Sequence, residues 1–381
     1  MTANVPQLMC NYFNSLVVAI NSTLYTGSTN HSFGDSGLCD YNCGSGGNLL
    51  PLNIPVLVCP LTFFRYPVDQ AYVSSCGYFY VLSLNNAATH VVISEVDSYT
   101  GSILRTSADI TAINSAVPSL IAYNPTTDNF YVVNVHSGIY YITVISRTDF
   151  SCVSGPVGIA GYVSSIAYSA ASDRVVVGGA GGISILHPQT LAVLYTASTV
   201  GAGHLLIGTD WTSISISETL GLLYCAQRVS DPDTSMHNRV SAINFTGGLV
   251  YQVDADTPAM SGGFDAPCIL YVPEQSSVYV GTSNIIHKLS PTLSHVADCT
   301  ITIASFTTYY MAYNMITQNI HCMYPSGTHN TVALVSALSC AFTGQYDSCD
   351  LHNKHPIYLP NAKQISILHD SYAGDLSFST Y

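Results

Sequence analysis

Short apolar runs alternate with polar turns along the whole chain, and no stretch sustains a helical period of 3.6. The runs are rich in β-branched and aromatic residues, as in Phe130-Tyr-Val-Val133 and Val278-Tyr-Val280, which predicts strands. A unit recurs: a short apolar strand, a polar turn, a second strand, and a third strand ending in a turn. Clear copies begin at Ser119-Leu-Ile-Ala-Tyr123, Ser165-Ile-Ala-Tyr168 and Tyr310-Met-Ala-Tyr313. Fainter ones begin at Gln70-Ala-Tyr72, Ser213-Ile-Ser-Ile216, Cys268-Ile-Leu-Tyr271 and Ser366-Ile-Leu-His369. The anchors at 72, 123, 168, 216, 271, 313 and 369 differ by 51, 45, 48, 55, 42 and 56 residues, close to the period of a four-stranded propeller blade.

The second strands begin at Phe79, Phe130, Val175, Leu222, Val278, Ile320 and Leu376, each separated from the first by a turn of Asn, Asp, Ser, Thr or Gly. Third strands with their turns read Val91–Gly101, Ile183–Leu191 and Ile285–Leu293. The last copy is truncated, and Ser15–Gly27 matches Val91–Gly101 in pattern. This predicts one domain over residues 1–381, an all-β, seven-bladed β-propeller whose last blade is shared between the termini, with 15–27 closing against 365–381. Closure removes the exposed edges of an open array, and the spacings argue against a sandwich or a β-helix. Segments 28–70 and 343–364 stand out as loop insertions, expected to form a cap over one sector.

These residues resemble the YVTN-type repeat of β-propellers, in which a Tyr-Val strand leads into a Val-Ile-Asp-Pro-x-Thr turn. Val278-Tyr-Val-Gly-Thr-Ser-Asn284 and Ile183–Leu191, with Pro188 and Thr190, are nearest to it. The resemblance spans nearly the whole chain and implies the fold. It implies no single function, because propellers host binding, lyase, hydrolase and scaffold roles. His187 and Ser290 stand where the turn has Asp, and no catalytic residue carries over.

Composition narrows the partners. Charged residues make up 8% of the 381, the net charge is −13, and no basic block exists, so nucleic acid is an unsuitable partner. No run of 18 apolar residues occurs, since Pro51, Pro55 and Pro60 interrupt Leu49–Phe64, so no membrane-spanning helix is expected. The 27 Tyr suit both strands and interfaces. With only Lys288, Lys354 and Lys363, the sheet edges lack their usual charged guard. No basic, apolar secretory leader is recognised at the start of the sequence, which leaves a mature chain, export by another route, or assembly in the cytosol. Sequons fall at Asn21, Asn30 and Asn244.

Of twelve cysteines, Cys76, Cys225, Cys268 and Cys322 lie inside strand patterns and read as buried thiols. Cys39, Cys43, Cys59 and Cys349 lie in loops and are the disulfide candidates. Cys349, His352 and His355 form a Cys-x2-His-x2-His cluster that could ligate zinc, with Cys39 and Cys43 as further ligands, although the spacing matches no standard finger. Asp231 and Asp233 could bind calcium but lack the EF-hand spacing. Candidate acids are scarce, with Glu only at 95, 218 and 274, and Asp254, Asp256 and Asp265 crowding near blade four. Gly178–Gly182 joins two strands and reads as a hairpin rather than a phosphate cradle, which needs a helix start.

The pattern points to a non-enzymatic interaction propeller without a cofactor. It would be displayed in an extracellular or virion-type assembly, with other proteins, copies of itself among them, as partners. The cytoplasm with free thiols is the alternative compartment. Leu57 and Phe63 in the cap are the interface candidates. The competing reading is a metal- or ligand-binding catalytic propeller, lyase- or hydrolase-like, with its site at the central channel, where His136, His204, His237 and His329, in loops assigned to one face, could supply ligands.

Overall fold

The computed structural model describes residues 56–379 apart from 61–64, 86, 114–116, 180–181, 198–204, 207–211, 231–235, 255–267, 283, 304–307, 327–328, 349–352, 361–363 and 370–374. The described strands form seven antiparallel sheets. After β1 (Val56–Pro60), sheet one holds β2 (Arg65–Val73), β3 (Tyr78–Leu84), β4 (Val91–Asp97) and β5 (Ile103–Thr106). Sheet two holds β6 (Val117–Asn124), β7 (Asn129–His136), β8 (Ile139–Ser146) and β9 (Cys152–Ile159). Sheet three holds β10 (Val163–Ser169), β11 (Arg174–Gly179), β12 (Gly182–Leu186) and β13 (Val193–Ala197). In sheet four, β14 (Leu205–Leu206) and β15 (Thr212–Ser217) both pair with β16 (Leu222–Ser230), followed by β17 (Met236–Asn244) and β18 (Leu249–Asp254). Sheet five holds β19 (Cys268–Val272), β20 (Ser277–Thr282), β21 (Ile285–Leu289) and β22 (His295–Thr300). Sheet six holds β23 (Tyr310–Asn314), β24 (Asn319–Ser326), β25 (His329–Ser336) and β26 (Phe342–Ser348). The last sheet runs β27 (Asn353–Leu359), β28 (Gln364–His369), β29 (Asp375–Ser379) and then β1.

The first strands neighbour one another in a cycle: β2 beside β6, then β10, β15, β19, β23 and β27, which returns to β2. The fold is an all-β propeller. Six sheets are contiguous in sequence, and the remaining one combines the two ends of the described chain. Leu57 pairs with Phe378 and Cys59 with Leu376, so Val56–Pro60 covers the edge of β29. The closing strand expected at 15–27 lies outside the described residues. The C-terminal part supplies three strands rather than two, because Ser366–His369 is a second strand and β27 is the first. Tyr358 of β27 follows Tyr313 by 358 − 313 = 45 residues, within the repeat spacing. The expected insertions therefore shrink: 343–364 contains most of β26 and all of β27, and 28–70 contains β1 and the start of β2.

Each junction between neighbouring sheets is an apolar cluster. Tyr80 and Leu82 pack with Phe130 and Val132, Val176 with Leu223 and Cys225, and Met323 with Ile365 and Ile367. Leu359 against Phe79 and Val81 closes the cycle. At the same junction Gln70 Nε2 donates to Ser366 O at 3.0 Å, and Ser366 Oγ donates to Gln70 Oε1 at 2.8 Å. Full burial of such side chains contributes about 1.5–3 kcal/mol each.

Two repeated devices set the junction geometry. The first is a tyrosine on the second strand. Tyr131 donates to Pro188 O (3.1 Å), Tyr224 to Pro291 O (2.9 Å) and Tyr279 to Ala337 O (2.6 Å), each reaching the third-to-fourth-strand turn of the following sheet. Tyr80 instead accepts from Arg147 in the equivalent turn of sheet two, at 3.1 Å. The second device is that turn itself. A polar atom at its start accepts backbone N–H groups: Asp97 Oδ1 from Tyr99 and Thr100, Asn244 Oδ1 from Thr246 and Gly248, and Ser290 Oγ from Ser294. His187 Nδ1 does the same for Gln189 and Thr190, which explains how the turn tolerates His where the repeat pattern has Asp. The turn ends at a residue of positive φ: Gly101, Phe150, Leu191, Gly247, Leu293 and Cys340. Phe150, Leu191 and Leu293 send their side chains into the preceding junction.

Candidate functional site

The fourth strand of each contiguous sheet is its outer edge, and there the apolar pattern breaks. On β13, Val193, Leu194 and Tyr195 are consecutive and exposed; on β18, Leu249, Val250 and Tyr251 are likewise. Their exposures run from 38% to 54%. A half-buried strand would alternate, so three successive exposed apolar residues mean that both faces of the strand meet solvent. The two strands are linked across the junction, since a Cβ built on Gly247, in the turn before β18, would lie 3.1 Å from Tyr195 Cβ. Leu104 on β5, Val153 on β9 and Val296 on β22 repeat the exposure around the rim. No lysine lies on any of these strands.

A polar group stands out on the edge of sheet five. Asp298 Oδ1 lies 2.7 Å from His287 Nδ1 and 2.8 Å from His295 Nε2. His287 and Asp298 are cross-strand partners on β21 and β22. The His287 ring is buried, and its Nε2 lies 3.1 Å from Thr282 Oγ1. His295 and Asp298 are exposed. Although burial opposes it, hydrogen bonds from the two imidazoles and their charges hold the Asp298 carboxyl below its ordinary value. One ligand atom from each residue lies within 4.8 Å of the others, so this group can offer two nitrogens and an oxygen to a divalent cation.

The residues singled out in the sequence scatter. Cys39, Cys43, Phe63, Cys349, His352, His204, Asp231, Asp233, Asp256 and Asp265 lie outside the described residues. Leu57 and Cys59 belong to β1, and His355 to β27. His136 ends β7, His237 lies near the start of β17 and His329 starts β25, each next to a second-to-third-strand connection. His136 is exposed at the end of β7. Gly178 and Gly179 end β11 and Gly182 opens β12, with Gly179 opposite Gly182. A Cβ on Gly179 would collide with Tyr162 O, which is why the hairpin carries glycine there. Cys225, Cys268 and Cys322 are buried in strands, whereas Cys76 lies in the β2–β3 turn. Burial pushes Cys225 and Cys268 up to about 12, which leaves both as inert thiols.

Two of the three glutamates are engaged in bonds that build the ring. Glu95 pairs with Arg105, whose guanidinium also donates to Arg147 O at 2.7 Å in sheet two. Glu218 accepts from Ser169 Oγ at 2.8 Å and from the Ala170 amide at 2.9 Å in sheet three. The rim patch and the His287–Asp298–His295 group were missed in the sequence, since both need the strand register to bring them together. A run such as Val193-Leu-Tyr195 inside a repeat was the available signal. No protein-family model matches this chain, and no curated protein matches it.

Proposed function

We propose that this protein is a non-enzymatic interaction propeller that binds other proteins, copies of itself among them, through its outer edge strands. The ring is read as seven blades of the YVTN kind, the last completed by β1. The observation that carries the reading is the exposed apolar surface shared by β13 and β18. Six such side chains offer on the order of 500 Å², a size at which an exposed patch is often functional. A stable interface covers roughly 800 Å² per partner, so the patch can form its core while neighbouring Ser, Thr and Tyr supply the rim. Scarce charge and abundant Tyr support display in an extracellular or virion-type assembly. Sedimentation velocity over a concentration series tests the reading. The protein should self-associate by on the order of 100 µM, and Leu194→Lys with Val250→Lys should return it to monomer. A monomer at every concentration, unchanged by the two lysines, overturns the rim as the interface.

A second reading, metal binding, is favoured by the His287, His295 and Asp298 group. Zinc–ligand bonds of about 2.0–2.2 Å place tetrahedral ligands about 3.3 Å apart, so the two short hydrogen bonds need open by only about half an ångström. Cobalt(II) titration separates this group from the thiols, because thiolate ligation adds strong near-ultraviolet charge transfer. Weak visible bands without that feature, lost in His295→Ala, support the reading; bands unaltered by His295→Ala overturn it.

A further inference from the structure

From the turn that joins β17 to β18, we infer that Asn244 is an acceptor for an N-linked oligosaccharide, presented by the folded chain with its amide nitrogen free. The inference rests on the extracellular part of the reading above, since N-linked glycosylation is chemistry of secreted chains.

Asn244-Phe245-Thr246 is the one acceptor sequon among the described residues. It stands where Asp97 opens the corresponding turn of sheet one, and either residue can cap that turn, because the capping uses a single side-chain oxygen. Asn244 Oδ1 accepts from the Thr246 amide at 3.0 Å, from Thr246 Oγ1 at 2.7 Å and from the Gly248 amide at 2.9 Å. Thr246, the residue that completes the sequon, thus places its hydroxyl on the acceptor's own amide oxygen. Backbone bonds from Asn244 N to Gly248 O at 2.9 Å, strictly a donation by the Asn244 amide, and from Gly247 N to Asn244 O at 3.0 Å close the turn. All side-chain bonds end on the oxygen, and Nδ2 is neither bonded nor buried. Glycine at 248 keeps it so: a Cβ there would lie 2.9 Å from Nδ2, 3.2 Å from Oδ1 and 3.4 Å from Cγ, over the amide. The backbone does not ask for that glycine, because the positive φ of the turn belongs to Gly247, at +80°. Thr246, Gly248 and Leu249 around the amide are exposed, as a bulky polar group requires.

The donor class is an oligosaccharide joined through pyrophosphate to a polyprenyl lipid. Nδ2 forms a bond to C1 of the first sugar, and the C1–O bond to the pyrophosphate breaks. The lipid pyrophosphate leaves with that electron pair, and one Nδ2 proton passes to a base of the transferase. Nothing is oxidised or reduced. The three bonds on Oδ1 draw electron density from nitrogen towards oxygen, which eases loss of that proton.

The test incubates the folded full chain with purified oligosaccharyltransferase and a lipid-linked oligosaccharide, then maps glycopeptides, with Asn21 and Asn30 scored separately in the same digest. Sugar on Asn244 is the expected result. It should be lost in Asn244→Gln and in Thr246→Ala, and kept in Thr246→Ser. In Gly248→Ala, whose sequon is intact, transfer should be several-fold slower, whereas unfolded synthetic peptides carrying the two sequences should react alike. That difference separates the geometry of the turn from the bare motif. No transfer to Asn244 in a chain shown to be folded by its urea transition overturns the inference, and so does Gly248→Ala reacting at the unaltered rate. Protein from its native source that lacks sugar at Asn244, although transfer to the folded chain succeeds, overturns the extracellular reading alone.

Discussion

Removing one hydroxyl at a time from the junction tyrosines should give three different costs. Tyr131 Oη accepts from Asn124 Nδ2 at 2.8 Å and donates to Pro188 O at 3.1 Å. Tyr131→Phe therefore strands a buried donor and a buried carbonyl together. An orphaned buried group costs about 1–3 kcal/mol, and deleting the hydroxyl recovers part of its own desolvation, so the sum is about 2–4 kcal/mol. Tyr224 makes one such bond, to Pro291 O, and Tyr224→Phe should cost about 1–3 kcal/mol. Tyr279→Phe should cost least, about 0.5–1.5 kcal/mol, because Ala337 O still accepts from Lys288 Nζ. The three sites lie in different junctions, so a triple variant should lose nearly the sum. For a chain this long, each kcal/mol moves the melting temperature by only about 1 °C. Urea unfolding at constant slope is therefore the sharper assay. Equal losses at the three sites, or the largest loss at Tyr279, would refute the account of the hydroxyls as unequally shared bonds.

Three further outcomes follow from the same geometry. Gln70→Ala should cost about 1–3 kcal/mol in urea, because it leaves Ser366 without both of its cross-ring bonds; an unchanged midpoint would show that these bonds do not close the ring. His321 is buried, which lowers it to about 3, so the unfolded chain binds the extra proton between that value and about 6.5. Stability should fall as pH drops through that window, and His321→Gln should flatten the slope when urea midpoints are compared at pH 7 and pH 4. Gly179→Ala places a methyl against the Tyr162 carbonyl and should lose several kcal/mol or fail to fold, whereas Gly344→Ala, with nothing within 4 Å, should be neutral by the same measurement.

The propeller was legible because its second strands are buried on both faces and read as unbroken apolar runs, as in Phe79–Leu82 and Phe130–Val133. Its seam was not. β27 reads Asn-Lys-His-Pro-Ile-Tyr-Leu, and Pro356 with its polar neighbours imitates a loop. The pairing absorbs the proline with a register shift between Lys354 and Ile357, a device invisible without the partner strand. β26 was likewise hidden, since an outer strand needs few apolar residues, and Phe342-Thr-Gly-Gln-Tyr-Asp-Ser has two. Val56–Pro60 carries the apolar pattern of a strand, but the prolines around it favoured a cap.

The sixth sheet shows why departures from the repeat deserve chemical rather than decorative readings. In sheet two, buried Asn124 caps the first turn and gives its amide to Tyr131, seven residues on. In sheet six, Asn314 caps the matching turn through its Oδ1, but position 321 is His. That ring turns instead to Tyr346 Oη, at 3.1 Å from Nδ1, and buried Asn314 Nδ2 is left without a partner. The tyrosine elsewhere reaches a third-to-fourth-strand turn in the following sheet. After sheet six the following sheet is the closing one, where β29 and β1 come from opposite ends of the described chain and no such turn joins them. A tyrosine at 321 would bury a hydroxyl with one of its two partners absent, and histidine bonded within its own sheet is the cheaper solution. Sheet three also departs from the tyrosine, with Val176 at the matching position, and there the apolar side chain needs no partner; His321 differs in keeping a polar ring, bonded within its own sheet.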